Sequence, residues 1–411
     1  MKILLVNCYF YPESNAGAVV YCYELANALK QGNEVAIFSG TFEYGNEVAY
    51  VRDTVDQMEV CKVPLPRKND AFYRYKAIYN KHAQRIFRQF LKEQKPNIIH
   101  FHSLQGLGAS LVSEAKRLGI PAVVTLHDGW WVCPAQFFFR YDEGRPCQKA
   151  GYGECIDCRT HTEKMQPLFL SAIKNTAYVS WRQLYLKNAL KKADAGIFPS
   201  SFLREAYRRG GVICPKAVIS PNAIDISSCK DTCRGKSDFN PAQVRMAFLS
   251  GTSELKGYNL LMGALKNLNK DNFCLHIYGV TQENYPPVAE KNVVFHPPFE
   301  RRDIHRVFCQ TDILLFPSLV QENCPLSILE SFAHKVPVIA AEAGGVAELV
   351  KDNVNGLLFR HNDVTSLTEK MQSVLDNPSI IQRFAGNIST VKDIREQARE
   401  IEGLYRSITK A

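Results

Sequence analysis

Nowhere in its 411 residues does this chain hold the run of about 20 apolar residues that a membrane-spanning helix needs. Its opening, "MKILLVNCYFYPES", is too short and wrongly ended for a secretory signal, which points to a first buried strand and a cytosolic protein. Low-complexity tracts and short repeats are missing too, which argues against a disordered linker and a solenoid. Acidic residues are in deficit: 41 Asp and Glu face 50 Lys and Arg, a formal charge of +9. Such an excess suggests an anionic partner, whether a nucleotide, a phospholipid surface or nucleic acid, but no nucleic-acid-binding motif accompanies it. Thirteen cysteines is an odd count in a chain without an export signal, so most are expected as reduced thiols.

What is present in quantity is alternation. The runs "KILLVNCYF", "EVAIFSG", "NIIHFH", "PAVVTLHD" and "DAGIFPS" read as strands separated by helical patterns. The scheme repeats with "VRMAFLSG", "CLHIYG", "VVFHPP", "DILLFPS" and "VPVIAA". Strands alternating with helices imply βαβ units, here two doubly wound parallel sheets, and the length suits two domains. Between the halves lies the polar stretch "SPNAIDISSCKDTCRGKSDFNPAQ". The expected division is therefore 1–222, 223–390, and a terminal helix over 391–411 that returns to the first domain. Two such domains facing each other form a cleft, a common place for a ligand.

The sharper chemistry lies in the second half. In "DILLFPSLVQENCPLSILES" a buried strand is followed by a loop carrying Glu322, then by Pro325 at a helix start and Glu330 one turn further in. Ligands of open α/β sheets bind at that edge. The same edge receives Gly251 at the end of "FLSG", Lys256 and Gly257 in "TSELKGYNLL", and Gly344 and Gly345 in "VIAAEAGGVAEL". Glycines let backbone amides approach an anion, a helix amino end favours negative charge, and Lys256 adds a full cation. "GTSELKG" is not a Walker loop, because Gly257 follows the lysine where Ser or Thr is required. Carboxylates repel phosphate but accept two hydrogen bonds from a vicinal diol. A diphosphate with a sugar at each end satisfies all these groups, which describes a nucleotide sugar.

These residues resemble those of the retaining glycosyltransferases of family four, with the two-Rossmann-domain GT-B architecture. The resemblance covers nearly the whole chain and rests on the glutamate–seven–glutamate motif "ENCPLSILE" with "PVIAAEAGGVAELVKDNVNGLLF" after it. It extends to "PESNAGAVVYCYELANAL", "VTLHD", "FPSSFLREAYRRGG" and "VISPNAID". The resemblance implies that Glu330 binds the ribose and Glu322 the donor sugar, with amides around Asn323, Cys324 and Leu326 meeting sugar or diphosphate. It implies that Lys256 neutralises the leaving diphosphate, that His127 faces the donor sugar from the first domain, and that Gly17 lines the acceptor side. It implies a UDP- or GDP-linked donor, a hexose-type sugar and no catalytic divalent metal. No well-placed nucleophile is evident, so front-side attack by the acceptor is the expected route. Departures exist: Thr252 and Ser253 replace the family's arginine, Ala223 follows Asn222, Gly17 stands between alanines, and "LHIYGV" lacks a second glycine. An inactive homologue acting as a partner subunit, and a sugar-nucleotide epimerase, are the rival readings.

Two further segments carry expectations. The insertion 133–158 holds Cys133, Cys147, Cys155 and Cys158, the last two as Cys-x-x-Cys. Four thiolates suit a structural zinc, an iron–sulfur cluster is the alternative metal reading, and buried free thiols the metal-free one. The segment "DAFYRYKAIYNKHAQRIFRQFLKEQ" reads as a helix capped by Asp70, with Arg74, Lys81, Arg85, Arg88 and Lys92 in one stripe. Phe72, Tyr79, Ala83, Ile86 and Phe90 are expected opposite, facing the core. Unneutralised cations in a stripe favour an anionic membrane surface. The expectation is a cytosolic enzyme that visits the inner face of the membrane to glycosylate a lipid-linked acceptor.

Overall fold

The computed structural model describes residues 1–42, 49–67, 72–140, 143–147, 152–162, 168–227, 239–281, 283 and 292–409. The chain divides into two compact units. The first comprises Met1–Glu143, Cys147–Asn222 and Asp393–Ala411; the second comprises Gly144–Pro146 and Ala223–Lys392. Part of the polar stretch 220–243 lies outside the described residues.

In the first unit the apolar runs form β1 (Lys2–Asn7), β2 (Glu34–Thr41), β3 (Val51–Val55), β4 (Met58–Pro64), β5 (Ile98–Phe101) and β6 (Ala122–Thr125). The small pair β7 (Phe139–Arg140) and β8 (Arg145–Pro146) follows, then β9 (Ala195–Phe198) and β10 (Lys216–Ile219). The main sheet runs β10-β9-β6-β5-β1-β2-β4-β3, parallel except for β3 against β4. The β3–β4 pair was not expected. Its turn uses Asp56 and Gln57 with φ of 46° and 66°, where sequence offers none of the glycines that usually mark a two-residue hairpin. Its Lys62 is buried in ion pairs with Glu13 at 2.7 Å and Asp53 at 2.8 Å, so the charge does not exclude a strand.

The second unit contains β11 (Val244–Phe248), β12 (Phe273–Tyr278), β13 (Val293–His296), β14 (Ile313–Phe316), β15 (Val338–Ala341) and β16 (Gly356–Phe359). The order is β13-β12-β11-β14-β15-β16, with every pair parallel. Alternate residues of one strand enter different cores. Ile313, Leu315, Ile339 and Ala341 pack on one face; Leu314, Phe316, Val338 and Ala340 pack on the other. Both faces are thus covered, which is why these strands read as unbroken apolar runs. Both units are Rossmann-like, and in both the strand order reverses once near the middle: between β1 and β5, and between β11 and β14.

The terminal helix Ile394–Thr409 packs within the first unit. Its Tyr405 hydroxyl lies 2.6 Å from His100 Nδ1, and Gln397 Nε2 donates to Ser220 Oγ at 2.9 Å and to the Pro221 carbonyl at 2.7 Å.

The long basic helix is corrected by the structure. Asp70 lies outside the described residues. A short helix, Tyr73–Lys76, ends before a second, Lys81–Gln94, whose cap is Asn80: its side chain accepts from Ala83 N. The break has a tertiary cause. Carbonyls of Ala77 and Ile78 are taken by the amides of Gly106 and Ala109, and Asn80 Nδ2 donates to the Gly106 carbonyl at 2.8 Å. Arg74 therefore leaves the stripe and lies over the Tyr178 ring, 4.9 Å from its centroid. Arg88 is neutralised by the buried Glu114, its Nε and Nη2 each at 3.0 Å, a carboxylate supplied by the helix Ser110–Arg117. Lys81, Arg85 and Lys92 remain exposed. Ala83, Ile86 and Phe90 do face the core, but Phe72 is 64% and Tyr79 41% exposed.

Candidate functional site

The reversal point of the second sheet collects the charged residues. β11 ends before a 3₁₀ turn, Glu254–Lys256, and β14 ends before the loop that carries Glu322. The two loops are joined by Leu319 N donating to the Leu255 carbonyl at 2.9 Å. Lys256 Nζ reaches Glu322 Oε1 at 2.6 Å, and Ser318 Oγ donates to the same oxygen at 2.7 Å. Gly257 has φ +88°, and a Cβ there would stand 1.9 Å from the Pro317 carbonyl oxygen, so only glycine lets these loops meet. The loop after β15 closes in the same way: Gly345 N donates to the Glu322 carbonyl at 2.7 Å, and a Cβ on Gly344 would lie 2.0 Å from that oxygen. Gly251, also at positive φ, donates its N–H to the Tyr278 carbonyl at 2.8 Å.

Pro325 is the cap of the helix Leu326–Ala333 rather than its first residue. That helix buries Glu330, whose Oε1 is bonded by Arg301 Nη1. Cys324 is buried against Ile224 and Leu329, while Asn323 and Leu326 are half-buried. Glu322, Lys256, Gly344 and Gly345 are thus brought together, with both glutamates held by cations. Arg301 was missed by sequence reasoning, because "ERRD" looks like any exposed basic turn. It supplies a guanidinium to Glu330.

In the first unit His127 is half-buried and uncharged. It follows β6, and its Nε2 lies 2.9 Å from Nδ1 of His102, at the end of β5. The two rings are nearly parallel, and His102 stacks on His100 at 4.3 Å between centroids. His100 is closed by Tyr405 and by Thr125 Oγ1 at 2.7 Å. Burial lowers His100 and His127 to about 3 and holds His102 well below the ordinary imidazole range, with the neighbouring imidazoles lowering His100 and His102 further. Asp128 fixes the following loop: it accepts from Trp130 N at 2.8 Å and Gln136 Nε2 at 2.6 Å, and burial raises its carboxyl. Gly17 opens the helix Gly17–Leu29, whose Tyr21 meets His127 edge-on at 5.3 Å. The signal for His102 was legible in "IIHFHS": histidines two apart on an apolar strand share a face.

The cysteine insertion surrounds Arg182. This side chain is 2% exposed, and its Nη2 donates to the carbonyls of Trp130 and Cys133. Burial, then the neighbouring Cys133 and Cys147, push the Cys155 thiol up to about 12, opposed by Arg182. Cys133, Cys147, Cys155 and Cys158 are not joined in disulfides, and among the described residues no three metal-ligating side chains form a group able to hold an ion.

Comparison with known proteins agrees with this geometry. Residues 15–228 match the model of Glycosyltransferase Family 4, and residues 243–377 that of Glycosyl transferases group 1. An uncharacterized 41.2 kDa protein in the cps region of Klebsiella pneumoniae is 24% identical over 196 residues, 46% of this chain; the chain spans 54% of that relative's length. Anabaena HepE in complex with UDP and glucose is similar in fold, with a TM-score of 0.64 at 15% identity over 99% of this chain and all of that one. The lipopolysaccharide outer core galactosyltransferase WaaB gives 0.60 at 14% identity, over 99% of this chain and all of its own.

Proposed function

Since this chain belongs to glycosyltransferase family 4, as the match over residues 15–228 shows, we propose that it moves a hexose-type sugar, with retention of configuration, from a nucleoside diphosphate sugar to a glycan acceptor in polysaccharide synthesis. The observation that carries this reading is the meeting of Lys256, Glu322 and the Gly344–Gly345 turn where the strand order of the second sheet reverses. Cleaving a sugar–phosphate bond develops negative charge on the leaving diphosphate, which the Lys256 ammonium and backbone amides stabilise. Glu330 accepts the ribose diol and Glu322 the donor sugar, each exchanging a cation contact for hydroxyl donors. The acceptor hydroxyl attacks from the face the phosphate leaves, and the leaving phosphate takes its proton.

UDP is the first nucleotide to test, given the ligands of HepE. The Klebsiella cps-region relative and WaaB favour a cell-surface glycan acceptor, lipid-linked in the second case. Contact with an anionic leaflet belongs to the same proposal and now rests on Lys81, Arg85 and Lys92. Thermal unfolding with UDP, GDP and ADP tests the core of the reading, since a ligand at 100 times its Kd stabilises by about 2.7 kcal/mol. A rise in melting temperature with one of them supports it; no rise with any refutes it.

A further inference from the structure

We infer that His102 is a sugar-contacting residue, whose second ring nitrogen, Nε2, hydrogen-bonds a ligand hydroxyl while Nδ1 is engaged with His127. The inference rests on the nucleotide-sugar reading above and extends it to a residue of the first unit. His102 stands at the end of β5, beside β1, where the strand order of that sheet reverses. That is the position at which open α/β sheets take ligands. His102 is 1% exposed, and its Nε2 is buried with no hydrogen-bond partner. With Ser103, Gln105, His127, Asp128 and Gln136 it lines a pocket. His100, two residues earlier, has both nitrogens occupied by side chains. One imidazole is closed by the fold, and the next, among the pocket-lining residues, keeps an unpartnered nitrogen.

A buried polar atom without a partner costs about 1–3 kcal/mol, so the open nitrogen calls for a group from outside the chain. The chemistry of the pair narrows that group. One proton lies between Nδ1 of His102 and Nε2 of His127. If His127 donates it, Nε2 of His102 carries a hydrogen and points a donor outward; if His102 donates it, Nε2 is an acceptor. A hydroxyl both gives and accepts a hydrogen bond and fits either tautomer. An anion is disfavoured, because Asp128 lies in the same lining and the imidazoles are held uncharged by burial. For the same reason His102 cannot retain a proton taken from the acceptor. It positions a neutral sugar and leaves proton removal to the departing phosphate.

The test uses the whole chain labelled with ¹⁵N-histidine, titrated with UDP-glucose, UDP-galactose, UDP-N-acetylglucosamine and GDP-mannose, each beside its nucleotide alone. The sugar nucleotide that binds should move the His102 Nε2 resonance to a single tautomer, and the bare nucleotide should not. His102→Asn keeps an amide near the Nδ1 position and removes Nε2; His102→Gln keeps a group near Nε2. His102→Asn should bind UDP or GDP as the wild type does, which also shows that it folds, and bind the sugar nucleotide about tenfold more weakly. His102→Gln should recover part of the loss. An unmoved Nε2 resonance, or undiminished sugar-nucleotide affinity in His102→Asn, overturns the inference. If nucleotides raise the melting temperature and sugars add nothing at His102, only this inference falls; if no nucleotide binds, both fall.

Discussion

The two reversal points are built from different materials. In the second unit the groups are charged: Lys256 on Glu322 and Arg301 on Glu330. In the first they are neutral, three stacked imidazoles that burial keeps unprotonated. A diphosphate requires cations, and cations stored in a pocket require carboxylates to hold them until the ligand arrives. Sugar hydroxyls can be held by a carboxylate, as proposed for Glu322, and also by neutral donors and acceptors, which bind them without desolvating a charge.

Acid should break this comparison most strongly. His100, His102 and His127 bind fewer protons folded than unfolded, so the stability they contribute is complete above about pH 6.5 and falls as the pH drops towards 3. Each contributes about 1.4 kcal/mol per pH unit within that window. Thermal unfolding from pH 7 to 4 should show a steep fall in melting temperature, and His100→Gln should flatten it. Next in size is Lys256→Ala. It should lower kcat by about a hundredfold or more, the scale of losing one transition-state donor, with a smaller change in KM. Equal kcat in mutant and wild type would remove Lys256 from the leaving-group role.

Glu330→Ala should weaken nucleotide affinity by about 1–3 kcal/mol, measured by calorimetry, because a charged acceptor for two hydroxyls is lost. Glu322→Ala should instead act mainly on turnover. The smallest effect per residue belongs to the surface. Replacing Lys81, Arg85 and Lys92 by glutamine removes about 1 kcal/mol of attraction apiece from an anionic leaflet. Co-sedimentation with phosphatidylserine vesicles at low salt should drop while UDP affinity holds; wild-type protein that ignores such vesicles points to a soluble acceptor.

What was legible in advance follows from how local each feature is. Parallel strands buried on both faces announce themselves, and "DILLF" and "VPVIAA" form β14 and β15. Glu322 and Lys256 could be placed at one edge because each follows a strand closely. The helix from Asp70 could not be judged, since its pattern continues through Ala77–Asn80 while the carbonyls there bond to residues 106 and 109. Arg88 is the same lesson in electrostatics: its carboxylate, Glu114, is 26 residues away. Periodicity reports which face is apolar and is silent on which neighbour claims it.

The terminal helix, whose Tyr405 closes the imidazole stack, has a consequence for how the protein is made. The first unit leaves the ribosome first, yet residues 394–409 emerge only after the whole second unit. At about 5–20 residues per second, the roughly 170 residues between them take on the order of 9–34 s to synthesise. Throughout that interval His100 faces a gap where Tyr405 belongs, and the surface of the helix Gly17–Leu29 that the last helix covers is bare. The second unit, continuous from Ala223 to Lys392 apart from three residues made earlier, can complete its fold while the first is still waiting for its final piece.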